Sequence, residues 1–87
     1  MLISIFIYSM ESNYQDIEYM GETVQILQYL SESNSTFKKR LLYIKKLENA
    51  KINWKEANRL SKIWYSIRFK NCKYNQDLYI KVMKYDK

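Results

Sequence analysis

The chain has no histidine and no proline, one glycine and one cysteine among 87 residues. Its first 37 residues also contain neither lysine nor arginine. Each gap excludes something. Without an imidazole there is no His-based triad, proton shuttle or His-ligated metal centre. Cys72 is alone, so no intramolecular disulfide forms, and a lone thiol suits a reducing compartment. With no base near it in sequence, Cys72 reads as packing rather than as a nucleophile. Missing proline and glycine are missing turn-formers, which biases the reading towards helix. Gly21, the only glycine, falls within what reads as a helix, where it would permit close approach of a neighbour. No phosphate-cradling glycine loop exists.

What is present is strongly divided. Fifteen bases from Lys38 onward face only Glu48, Glu56, Asp77 and Asp86, a formal charge of +11. Before Lys38, Glu11, Asp16, Glu18, Glu22 and Glu32 give −5. The total of +6 conceals this division. A bipolar chain points to a polyanionic partner or an acidic protein surface, since the summed field of many like charges steers association. Nine Tyr, three Phe and two Trp supply ample core material, so the chain is not of the disordered class. Two alanines beside twelve lysines, ten isoleucines and seven asparagines suggest an A+T-rich gene, as in a low-GC bacterium, phage, plasmid or large DNA virus. Part of the lysine excess is then codon bias.

Periodicity predicts four segments after the opening Met1–Tyr8 run. That run lacks a basic flank and is too short to span a bilayer. The alternation of Ile3, Ile5 and Ile7 with Ser4 and Phe6 suits a short strand. A first helix is expected from Tyr14 to Leu30, begun by Ser12 and Gln15 as a capping box and carrying Ile17, Met20, Val24 and Leu27 at helical steps. Ser31–Ser35 reads as a loop offering Asn34 or Ser35 as the next cap. A second helix, Thr36 to Ala50, buries Phe37, Leu41, Ile44 and Leu47; Leu42 falls in the middle of its basic sector. A third, Trp54 to Lys70, starts with Asn53 as cap and Glu56 reaching back. It buries Ala57, Leu60, Ile63, Trp64 and Ile67. In the tail, Leu78, Val82 and Tyr85 share a helical face with Asn75 as cap and Asp77 in the first turn. The alternative there is a strand pairing with residues 3–7.

The fold class expected is therefore all-α: a single small helical domain over residues 1–87, with three main helices and a short C-terminal element, or a minor two-stranded pairing of the termini.

Chemistry is sparse. Glu18 and Glu22, one helical turn apart, are candidates for a carboxylate pair or a hard-cation site, but read better as a solvated acidic face. No enzyme activity, metal site, cofactor or small-molecule substrate is expected. The stronger signal is basic stripes edged by aromatics, the pattern by which a surface follows phosphates and stacks on bases. Lys38, Lys39, Lys45 and Lys46 repeat on the second helix. Lys55, Arg59, Lys62 and Lys70 do so on the third, flanked by Trp54, Tyr65 and Phe69. A helix-turn-helix across Asn49–Asn53 is only weakly supported, because the turn has no glycine and Asn58 with Arg59 is the sole adjacent base-reading pair. The expected function is a small, basic, non-enzymatic protein that binds RNA, DNA or a host nucleoprotein complex in the cytoplasm, as a monomer or weak homodimer. By size and charge alone it fits an accessory or inhibitor protein of a phage, virus or plasmid, anti-CRISPR-like in mode. The competing class is a helical immunity or membrane-surface protein, in which the basic face meets anionic lipid.

Overall fold

A computed structural model describes residues 14–86. The strand expected at residues 3–7 and the Ser12 cap lie outside them. The described chain runs β1 (Tyr14–Tyr19), β2 (Glu22–Leu27), α1 (Asn34–Asn49), α2 (Trp54–Lys70) and α3 (Gln76–Lys84). Of these residues 58% are helical and 16% are in strands, an α+β arrangement and not an all-α one. The chain divides into two compact units, one ending at Phe37 and one beginning at Lys38, within α1. The structural boundary coincides with the charge boundary.

In the first unit, the helix expected from Tyr14 to Leu30 is instead an antiparallel hairpin. Tyr19 pairs with Glu22, Ile17 with Val24 and Gln15 with Ile26. Met20 and Gly21 form its two-residue turn, with φ of 51° and 86°. Two successive left-handed residues define the primed turn whose twist matches that of the strands. Gly21 therefore serves the turn rather than a helix interior, where it would cost about 1 kcal/mol relative to alanine. The β-branched and aromatic residues Ile17, Tyr19, Val24 and Ile26 fit a pleated surface. The register places them on one face, with Tyr19 and Ile26 buried. Asp16 and Glu18 stand on the other face, across from Gln25 and Thr23.

The following loop is held by its own polar groups. Gln28 Nε2 donates to the Glu32 carbonyl and to Asn34 Oδ1, each at 2.9 Å. The Tyr29 N–H donates to the Glu32 carboxylate at 3.2 Å. Ser33 then caps α1, its Oγ accepting from the Thr36 N–H and its carbonyl from the Phe37 N–H. The cap is thus one residue earlier than Asn34 and two earlier than Ser35. A hydroxyl oxygen at this position satisfies one of the four orphan donors of a helix start.

The second unit packs the remainder of α1 with α2 and α3. Tyr43, Ile44, Leu47, Ala57, Leu60, Trp64, Tyr65 and Val82 are buried. Tyr43 stacks on Trp64 with ring centroids 4.9 Å apart, which joins α1 to α2. Its O–H donates to the Val82 carbonyl at 2.8 Å, which joins α1 to α3. Burial, with the charges of Asp86 and Tyr85 adding to it, raises the Tyr43 pKa well above that of free tyrosine, so this donor stays protonated.

The boundaries of α2 match the expected ones, and Asn53 Oδ1 accepts from the Glu56 N–H at 2.9 Å. The helix ends at Asn71 in the left-handed region, φ 54°, where Ser66 O accepts from the Cys72 N–H. The tail is helical, capped by Asn75 through the Leu78 N–H. The alternative strand at the C-terminus is overturned, because Asn75 satisfies an orphan donor of a helical turn and Val82 is drawn into the core.

Candidate functional site

The basic residues follow from helical geometry. On α1, Lys38, Lys39, Lys45 and Lys46 are exposed, with Leu42 among them at 63% exposure. On α2, Lys55, Arg59, Lys62 and Lys70 are likewise exposed, at steps of four, three and eight along one face. These are cations on two helices of one compact unit.

Their pairing separates them. Lys45 meets Glu48 at 3.0 Å. Arg59 meets Glu56 through two bonds, Nε to Oε1 at 3.0 Å and Nη2 to Oε2 at 3.1 Å. Lys81 of α3 reaches the same carboxylate at 2.5 Å, tying α3 to α2. The Arg59 guanidinium first, then the Lys81 ammonium, holds the Glu56 carboxyl down at about 2, and Glu56 in turn raises Arg59. Glu56 is thereby engaged with two cations, so only the Asn53 half of the expected capping box is seen. Lys38, Lys39, Lys46, Lys55 and Lys62 have no carboxylate partner among the described residues.

The aromatic edge divides differently. Tyr65 is buried, packed 5.6 Å from the Phe69 ring and lying 5.8 Å from both the Arg40 guanidinium and the Lys70 ammonium. Its face is occupied and is not open to a stacked base. Trp54 is half-buried, and Phe69 is 38% exposed with its edge against Trp64. Of the three aromatics expected to stack, Phe69 is the most accessible.

Residues not singled out as binders help to line a cleft in the second unit. It has a volume of about 160 Å³ and lies between α1 and α2, lined by Lys39, Leu42, Tyr43 and Lys46 on one side and Trp64 and Arg68 on the other, with Asp86. Arg68 Nη1 donates to Asp86 at 3.1 Å. The signal for Arg68 was legible in principle: it stands one turn beyond Trp64 on the face that buries Ala57 and Trp64, where a cation needs a reason. A wider hollow beside the start of α3 is lined by Arg59, Asn75, Asp77 and Lys81.

Among the described residues no group of three or more carboxylate or thiol side chains is gathered to hold a metal ion. Glu18 and Glu22 fall on opposite faces of the hairpin, because Glu22 pairs with Tyr19 and Glu18 with Thr23. The candidate carboxylate pair is therefore not formed as a helical turn would form it. No described helix is long and apolar enough to cross a membrane. Compared with protein-family models, curated proteins and solved structures, the chain matches none.

Proposed function

We propose that the protein is a non-enzymatic binding protein whose basic unit docks on nucleic acid, free or within a nucleoprotein complex. The observation that carries the reading is the fate of the acids after Lys38. Glu48, Glu56 and Asp86 are each bound to a cation of their own unit. Asp77 sits in the first turn of α3, where it complements the helix dipole. The local acids are thus consumed, and lysines on α1 and α2 are left facing solvent without counter-charge. A backbone of phosphates is the polyanion that such a surface matches without any specific base reading.

Scarcity of Asn, Gln and Arg among the exposed stripe residues argues for recognition of backbone over sequence. The protein then acts by occupancy, covering a strand or the rim of a nucleic-acid channel, as an accessory or inhibitor protein of a mobile genetic element would. It works as a monomer or weak dimer, because exposed ion pairs contribute only about 0–1 kcal/mol each and do not hold an oligomer alone.

Fluorescence anisotropy on a labelled single-stranded oligonucleotide tests this with two paired variants, Lys39→Gln/Lys46→Gln and Lys55→Gln/Lys62→Gln. Each is expected to weaken binding while leaving the circular dichroism spectrum unchanged. Wild-type protein that binds no RNA or DNA, yet floats with anionic vesicles, would replace this reading with the membrane-surface one.

A further inference from the structure

Trp64 lines the cleft between α1 and α2 and carries an unanswered donor. Trp64 is 3% exposed, and its indole Nε1 is buried with no hydrogen-bond partner. Buried polar atoms of folded proteins are overwhelmingly satisfied, so a lone orphan calls for an acceptor supplied from outside the chain. The ring itself is committed elsewhere. Tyr43 stacks on it at 4.9 Å and Phe69 meets it edge-on at 5.6 Å. The indole is therefore fixed in place, and its N–H cannot turn away to find a partner.

The other lining groups specify the acceptor. Lys39, Lys46 and Arg68 bring three positive charges to the cleft, against the one negative charge of Asp86. Asp86 is already bonded to Arg68, whose guanidinium has five N–H donors in all. Lys39 and Lys46 have no carboxylate partner among the described residues. A volume of about 160 Å³ exceeds the roughly 30 Å³ share of one water several-fold. A water would answer the indole but not the charge excess.

We propose that this cleft is an oxyanion site that seats one phosphate group, with the Trp64 N–H as its neutral donor and Lys39, Lys46 and Arg68 as its cations. A phosphate offers several oxygens in different directions, so a single group can meet donors from both helices. Asp86 opposes it, as the internal carboxylate that holds Arg68 when the site is empty. The inference rests on the preceding reading only for the source of the phosphate, a nucleic-acid backbone as against the free ion.

Nitrogen–proton correlation spectra test it on the full chain. The protein has two tryptophans, and Trp54→Phe leaves Trp64 as the sole indole resonance. Inorganic phosphate should move that resonance saturably, and chloride at matched ionic strength should not. Lys46→Gln should weaken the phosphate response several-fold, and Asp86→Asn should strengthen it; opposite signs cannot arise from general loss of folding. A short single-stranded oligonucleotide should move the same resonance.

The site is overturned if phosphate leaves the indole unmoved, if chloride moves it equally, or if Asp86→Asn weakens the response. An oligonucleotide that binds by anisotropy yet leaves Trp64 unmoved also rejects it, while the broader basic-surface reading stands. Phosphate that moves Trp64 when no oligonucleotide binds supports the site and removes nucleic acid as its source.

Discussion

Lys51 shows how a chain with one glycine still makes its turns. It sits at φ 63° after α1, where the Ile52 N–H closes back on the Leu47 carbonyl. Met20 and Asn71 occupy the same region at 51° and 54°. Asparagine tolerates it through its short polar side chain; lysine and methionine do not share that ease. The glycine deficit was thus a sound reason to expect helices and a poor reason to exclude a hairpin. Lys51→Gly is expected to raise stability by about 0.5–1 kcal/mol, the relief of the left-handed strain less the entropy that glycine adds to the unfolded chain. Urea denaturation at neutral pH checks this by a higher midpoint at unchanged slope.

Glu56 gives a second residue-scale test, with a definite pH window. Its carboxyl is held near 2 in the fold, against an ordinary value of 4.5. A depressed folded-state pKa stabilises the fold above the unfolded value, and that contribution is lost as pH falls from about 4.5 towards 2. Glu56→Gln should therefore flatten the acid limb of the stability profile over that interval. At neutral pH its cost should lie within about 1 kcal/mol, because the pairs are solvent-exposed. Chemical denaturation at several acid pH values reads both effects.

At the scale of elements, α2 was legible because cap and period agree, and the same agreement favoured a helix at α3 over the alternative strand. Asn53 and Asn75 each precede an amphipathic run, and each side chain accepts from the N–H three residues on. The hairpin was not legible, for a geometric reason. Its same-face partners, Ile17 with Val24 and Tyr19 with Ile26, are each seven residues apart in sequence. Seven residues is close to two helical turns, so the pattern also fits a helix stripe. A two-residue turn shifts the phase of alternation between the strands, which hides the period of two. Only the Met20-Gly21 pair could have broken the tie, and methionine is not a residue that advertises a primed turn. Met20→Asn should accordingly slow amide exchange across β1 and β2. Gly21→Val should speed it, since a β-branched residue at φ 86° is strained whatever space surrounds it. Unchanged protection in both variants would place the hairpin's stability outside its turn.

The site was legible at the same scale as charge but not as geometry. The wheel placed the exposed lysines of α1 and α2 on their solvent faces and singled out Leu42 as anomalous. Tyr65 was read on the exposed edge and is buried, with the Phe69 ring 5.6 Å away and the charged ends of Arg40 and Lys70 each 5.8 Å from its own ring. The place of Arg68 one turn beyond Trp64 was legible, but its pairing with Asp86 was not, since it joins residues 18 apart in sequence through tertiary packing that no periodicity reports.

At the scale of the whole molecule, charge and structure divide at one point, between Phe37 and Lys38. Everything before it is acidic or neutral, and everything basic comes after. A chain that merely needed solubility could intersperse its signs. Concentrating fifteen bases in the second unit, and then consuming most of that unit's acids internally, creates a field of one sign. The measurement that tests the central claim most directly is the affinity for single-stranded RNA and DNA across a series of salt concentrations. Each phosphate neutralised on a single strand contributes about −0.7 to the slope of log affinity against log salt. With at least three unpaired lysines engaged, the expected slope is about −2 or steeper, and it should become shallower by about 0.7 for each contacting lysine replaced by glutamine. Binding that does not change with salt, or no binding at low salt, would contradict the account.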